Sequence, residues 1–102
     1  MRILFVCRAN LQRSPTAEKL FKSNNIETKS AGIDPLSFIV INQKTIDWAN
    51  KIFVMEESQK EFILDNFKVD KDIIVLDIPD IYFKDDPELI KILKKKVGKY
   101  LK

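Results

Sequence analysis

A chain of 102 residues suffices for one small domain with one core, and 45% apolar against 32% charged residues is the balance of a globular fold. One cysteine excludes an internal disulfide, the absence of histidine removes imidazole catalysis and disfavours a zinc site, and no stretch is long enough to span a membrane. The net charge of +3 arises mainly near the end, where Lys91, Lys94, Lys95, Lys96, Lys99 and Lys102 follow Asp77, Asp80, Asp85, Asp86 and Glu88. Acids ahead of a helix and lysines toward its end are what the helix dipole favours, so no nucleic-acid or membrane partner is inferred.

Arg2–Val6 is short, β-branched and aromatic without alternation, and reads as a strand buried on both faces. Ser14 is placed to cap a helix whose Ala17, Leu20 and Phe21 share one face. Ile26–Ser30 alternates and stops at Gly32, as a second strand nearer the sheet edge does. Ile33–Ile41 contains a proline and no helical period, and reads as a loop. A short helix follows from Asn42 to about Asn50, then a third strand over Lys51–Met55. Ser58-Gln59-Lys60-Glu61 has the form of a capping box opening a helix that buries Phe62 and Ile63. Ile73–Leu76 is a fourth strand. Pro87 and Glu88 open the last helix, with Leu89, Ile92, Leu93, Val97, Tyr100 and Leu101 as its apolar stripe.

Repeated strand–helix units predict an α/β fold: a single three-layer domain over 1–102, with a four-stranded parallel sheet flanked by helices and right-handed crossovers. Ligands of such sheets bind outside the carboxyl ends of the strands. Cys7-Arg8-Ala9-Asn10-Leu11-Gln12-Arg13-Ser14 leaves the first strand at that rim, and Asp77–Asp86 leaves the fourth. The loop enters a helix, whose free N–H groups and positive end favour an anion and stabilise a thiolate. Cys7 is therefore the candidate nucleophile, and Arg13 can fork two phosphate oxygens. Residues 8–12, Arg8 through Gln12, form the cradle wall, and Ser14 is placed to donate to the Cys7 thiolate. Asn10, mid-loop, tolerates the left-handed conformation a tight anion nest requires. Expelling an alkoxide or phenoxide calls for a general acid. Without histidine the candidates are Asp77, Asp80 and the Asp85-Asp86 pair, the last also suited to capping the final helix. Tyr82 suits either the mouth of the site or the edge of the core. The reaction expected is cleavage of phosphate esters through a phosphocysteine, with no metal or organic cofactor. A thiolate enzyme needs a reducing compartment such as the cytoplasm.

These residues resemble the low-molecular-weight protein tyrosine phosphatases. Their loop is Cys-x-x-Asn-x-x-Arg-Ser, commonly followed by Pro, and Cys7, Asn10, Arg13, Ser14 and Pro15 match it position by position. Ser30-Ala31-Gly32 resembles the end of the family's second strand, Met55-Glu56-Glu57-Ser58 the stretch after its third, and Leu76–Asp80 a prokaryotic subgroup's Leu-Asp-Ile-Pro-Asp. The resemblance implies that Asn10 holds the loop and that the acid lies in an Asp-Pro-Tyr stretch. Aligned back from the last helix, Asp80-Ile81-Tyr82 takes that place, with Asp77 the alternative. It implies phosphotyrosine in a protein as substrate, with small aryl or sugar phosphates second. Leu11 matches the aliphatic residue of tyrosine-directed members, where phosphoarginine-directed members carry Thr. Gln12 replaces a frequent second cysteine, Ala9 a frequent Gly, and the segment between Gly32 and Lys51 is shorter than in relatives, where it supplies aromatic walls. Phe38 and Trp48 are candidates for that role or for the core. A phosphate-recognising module with little turnover, a thiol-dependent oxyanion reductase and a cysteine phosphocarrier are the other uses of such a loop.

Overall fold

Ile3, Leu4, Phe5 and Val6 are all fully buried, as a strand covered on both faces requires. They belong to β1 (Arg2–Cys7) of a computed structural model that describes residues 1–101. Alternate residues serve different cores. Ile3, Phe5 and Cys7 join one apolar cluster, Leu4 and Val6 the other. The chain continues through α1 (Arg13–Phe21), β2 (Glu27–Gly32), α2 (Gln43–Trp48), β3 (Lys51–Val54), α3 (Glu57–Asn66), β4 (Ile73–Val75) and α4 (Pro87–Gly98). The four strands are parallel in the order β2-β1-β3-β4, the expected three-layer α/β architecture.

Ala17 of α1 and Leu89, Leu93 and Val97 of α4 cover the first face, while Ile46 of α2 and Ile63 of α3 cover the second. Phe5 stacks between Phe21 and Phe53 at centroid distances of 5.7 and 5.5 Å, and Tyr100 meets Phe53 edge-on at 5.5 Å. This run of rings pins α1 and the segment after α4 to the two central strands.

Two local expectations are corrected. Ser14 does not cap α1, which begins at Arg13 with no side-chain cap; its hydroxyl is turned inward to Cys7. The capping box of α3 is Glu56 with Gln59, not Ser58 with Glu61. Gln59 is buried, and its Oε1 accepts the N–H groups of both Met55 and Glu56, which an exposed Ser58 does not do. The second strand ends at Gly32 as expected, paired with Cys7, so the ladder extends to the base of the Cys7 loop. Asp86 does cap α4, accepting the Glu88 N–H at 2.9 Å ahead of Pro87.

Strand order reverses between β1 and β3, because the chain leaves β1 toward β2 and returns across the sheet to β3. The crevice at that reversal receives the loop after β1 and the chain after β4. Its far wall, Ile33–Val40, is held by close packing at Gly32. A Cβ there would collide with Ser37 Oγ and lie 2.8 Å from the Arg8 carbonyl oxygen and from Ser37 Cβ. Gly32→Ala is therefore expected to destabilise the protein by about 1–3 kcal/mol through overpacking. Thermal denaturation should show the melting temperature falling by about 4–8 °C for each kcal/mol lost.

Candidate active site

β1 delivers Cys7 to the carboxyl edge of the sheet, where the thiol is buried. The chain then turns sharply, and Asn10 adopts the left-handed φ of 56° that this turn requires. Its side-chain amide donates to Ser14 Oγ and Ser30 Oγ, each at 2.9 Å. Ser14 Oγ lies 3.0 Å from Cys7 Sγ and 3.5 Å from the Ala31 carbonyl. Since Ser14 accepts from Asn10, its one proton is available to the closer partner, the sulfur. The Ser30 hydroxyl passes the network on to Glu18 Oε1. Cys7, Asn10, Ser14, Ser30 and Glu18 thus form one chain of hydrogen bonds behind the loop.

None of the N–H groups of Arg8, Ala9, Asn10, Leu11 or Gln12 donates to a protein acceptor among the described residues. A row of free amides entering a helix suits an anion. Arg13, the first residue of α1, is 1% exposed. Its Nη1 donates to Glu56 Oε1 and to the Ile78 carbonyl, both at 2.7 Å. Its Nε is buried without a hydrogen-bond partner, 3.7 Å from Asp80 Oδ1. One edge of the guanidinium is fixed by the protein while the Nε proton remains for a bound oxygen.

Cys7, Ala9, Leu11, Gln12, Arg13 and Asp80 line a pocket of about 150 Å³. Of the aspartates proposed as the acid, Asp80 stands at this mouth. Asp77 faces a separate depression with Glu57, Ser58 and Pro79. Tyr82 is not among the pocket's lining residues and packs on the first core cluster, between exposed Ile81 and Phe83. Arg8 is exposed and has no carboxylate within 4.0 Å among the described residues. Trp48 lies on the other side of the sheet, beneath Lys29 Nζ at 4.6 Å, and takes no part in the site. Phe38 is exposed beside the Cys7 loop, whereas Trp48 takes the core role, packing half-buried against the second apolar cluster.

Two contributions were not assigned from sequence. Glu56 clamps Arg13 while capping α3, and its position in Met55-Glu56-Glu57-Ser58 was the only signal. Gln12 Oε1 accepts the Lys84 N–H, and Thr16 Oγ1 accepts that of Asp85 at 2.9 Å. From the other side Lys96 Nζ bonds the carbonyls of Leu76 and Asp77 at 2.7 and 3.2 Å. The acidic loop is thereby strapped to the Cys7 loop at one end and to α4 at the other.

Residues 2–38, just over a third of the chain, match the sequence model of the family described as low molecular weight phosphotyrosine protein phosphatase. No curated protein matches the chain. Among solved structures, tyrosine phosphatase AmsI of Erwinia amylovora is 20% identical with a TM-score of 0.79, covering 98% of this chain and 90% of its own. A low molecular weight protein tyrosine phosphatase of T. tengcongensis is 23% identical with a TM-score of 0.73, covering 96% and 93%. A variant of the arginine phosphatase YwlE carrying a phosphorylated active-site serine is 22% identical with a TM-score of 0.68, covering 99% and 95%. The matched segment holds the whole Cys7 loop, and the fold is that of the low-molecular-weight phosphatases.

Proposed function

We propose that this protein is a cysteine-dependent phosphomonoesterase acting on phosphotyrosine in polypeptides, with small aryl or sugar phosphates as lesser substrates. The observation that carries the reading is one pocket in which Cys7, the unpartnered Arg13 Nε and Asp80 meet over a loop of free amides. In the first step the Cys7 thiolate attacks phosphorus as the bond to the leaving oxygen breaks, and the Asp80 carboxyl gives that oxygen its proton. Charge on the phosphoryl oxygens is met by the loop amides and the Arg13 guanidinium, which is why no metal is needed. In the second step the Asp80 carboxylate takes a proton from water. That water attacks phosphorus, the S–P bond breaks, and the electron pair returns to a sulfur supported by the Ser14 hydroxyl. Inorganic phosphate departs. YwlE is an arginine phosphatase, but Leu11 at the mouth offers an aryl ring an apolar contact and no hydrogen bond to a guanidino group, which favours the tyrosine ester.

The test is hydrolysis of p-nitrophenyl phosphate and a phosphotyrosyl peptide, with acid-quench trapping of phosphocysteine. Wild type should turn over both and yield the trapped intermediate. Asp80→Asn should lower kcat on the peptide by about 10²-fold or more, the loss of general acid catalysis, while Asp77→Asn stays near wild type. The reverse ranking would move the acid to Asp77. Phosphate binding without turnover or intermediate would make the chain a recognition module.

A further inference from the structure

Beside the Cys7 pocket lies a larger groove of about 590 Å³, and Leu11 belongs to both. Pro15 of α1 forms one wall; Phe38 and Ile39 form the other. Leu11, Phe38 and Ile39 are 58%, 80% and 47% exposed. Apolar side chains held out at such density around a site are a feature of binding surfaces. They are also held firmly. The Phe38 N–H donates to the Ala9 carbonyl at 3.2 Å, and Asp34 N–H and Ser37 Oγ reach the Arg8 carbonyl at 2.9 and 3.2 Å. Gly32 N–H bonds the Ile39 carbonyl at 2.8 Å. The exposed ring is thus a fixed extension of the phosphate-binding loop.

The rim carries Lys19, Lys22 and Lys84, against a single acid, Glu18, whose Oε1 already accepts the Ser30 hydroxyl. Lys19 lies 3.7 Å from Asp85, so Lys22 and Lys84 supply the groove's free charge. A second copy of this net-positive chain would bring like charge to a basic rim, whereas an acidic segment complements it.

Resting on the phosphatase reading above, we infer that this groove binds the substrate polypeptide next to its phosphorylated residue. It takes an apolar side chain against Phe38 and Ile39 and an acidic residue at Lys22 and Lys84. The protein is then selective for phosphorylated sites flanked by apolar and acidic residues, rather than for small phosphate esters.

Binding of fluorescent peptides bearing a non-hydrolysable phosphonate in place of phosphotyrosine tests this without requiring turnover. A peptide with Leu and Glu flanks should bind about tenfold tighter than one with Gly and Lys flanks. In Lys22→Glu and in Phe38→Ser that preference should fall to threefold or less, read as a ratio of dissociation constants within each protein. Equal binding of the two peptides by wild type, or an undiminished preference in both variants, would overturn the groove assignment. Wild-type dimerisation in sedimentation that Phe38→Ser abolishes would overturn it in favour of a second copy. Peptide preference with no turnover of either p-nitrophenyl phosphate or a phosphotyrosyl peptide would instead sink the phosphatase reading and leave the groove standing.

Discussion

Cys7→Ser is expected to lower kcat for p-nitrophenyl phosphate by about 10⁴-fold or more, the scale on which removing a nucleophile acts in other covalent enzymes. A thiol is partly ionised near neutral pH and intrinsically nucleophilic, while a serine hydroxyl needs a base to take its proton as it attacks. The chain has no histidine to serve, and Asp80 must enter the first step protonated. Ser14 does not compensate, since its oxygen accepts from Asn10 and its proton is directed at residue 7. Phosphate affinity should survive, because the free amides of residues 8–12 and the Arg13 side chain are untouched. Steady-state turnover together with calorimetric binding of inorganic phosphate checks both halves. Turnover within tenfold of wild type would place the nucleophile elsewhere; loss of phosphate binding as well would mean the loop had collapsed.

Much of this site lies in one stretch of sequence, and for a physical reason. The proposed reaction calls for a nucleophile, a left-handed turn residue, a guanidinium and a hydroxyl around one anion, and a strand–loop–helix junction brings such groups together within Cys7–Ser14. The alternation of strands and helices was equally legible, because burial of β1 on both faces leaves a continuous apolar run. What sequence did not reveal depends on contacts between distant segments. Arg13 meets Ile78 and Glu56, and Gln12 meets Lys84, across 65, 43 and 72 positions. Nothing local in Met55-Glu56-Glu57-Ser58 distinguishes a clamp on Arg13 from an ordinary helix cap, and Glu56 is both. Asp77 and Asp80 are also equivalent in composition and near neighbours in the chain. Asp77 has a left-handed φ of 55°, and only Asp80 comes to the Cys7 mouth. Ser14 turns inward to the sulfur as expected, but its expected cap is not formed, because α1 begins one residue earlier at Arg13 and the Ser14 oxygen accepts from the Asn10 amide instead of a first-turn N–H.

Arg13→Lys retains the positive charge and should still lower kcat/KM by about 10³-fold. The guanidinium makes contacts in several directions at once: Nη1 to Glu56 and to the Ile78 carbonyl, and Nε toward the pocket. A lysine ammonium is one point at the end of a flexible stem. Engaged with Glu56 it leaves the phosphoryl oxygens without their planar donor; turned to the phosphoryl group it leaves the buried Ile78 carbonyl unpaired. Folding stability should drop too, by about 1–3 kcal/mol, the usual cost of an orphaned buried acceptor. Glu56→Gln provides the contrast, because the amide oxygen still accepts from Nη1 while the charge is gone. If Glu56 acts by aiming the guanidinium, this variant should lose far less than Arg13→Lys, whereas Glu56→Ala should lose much more than Glu56→Gln. Aryl phosphate kinetics and thermal melts on the three proteins separate the outcomes. Arg13→Lys within tenfold of wild type would mean that charge alone suffices and that the forked geometry held by Glu56 and Ile78 is not what lowers the barrier.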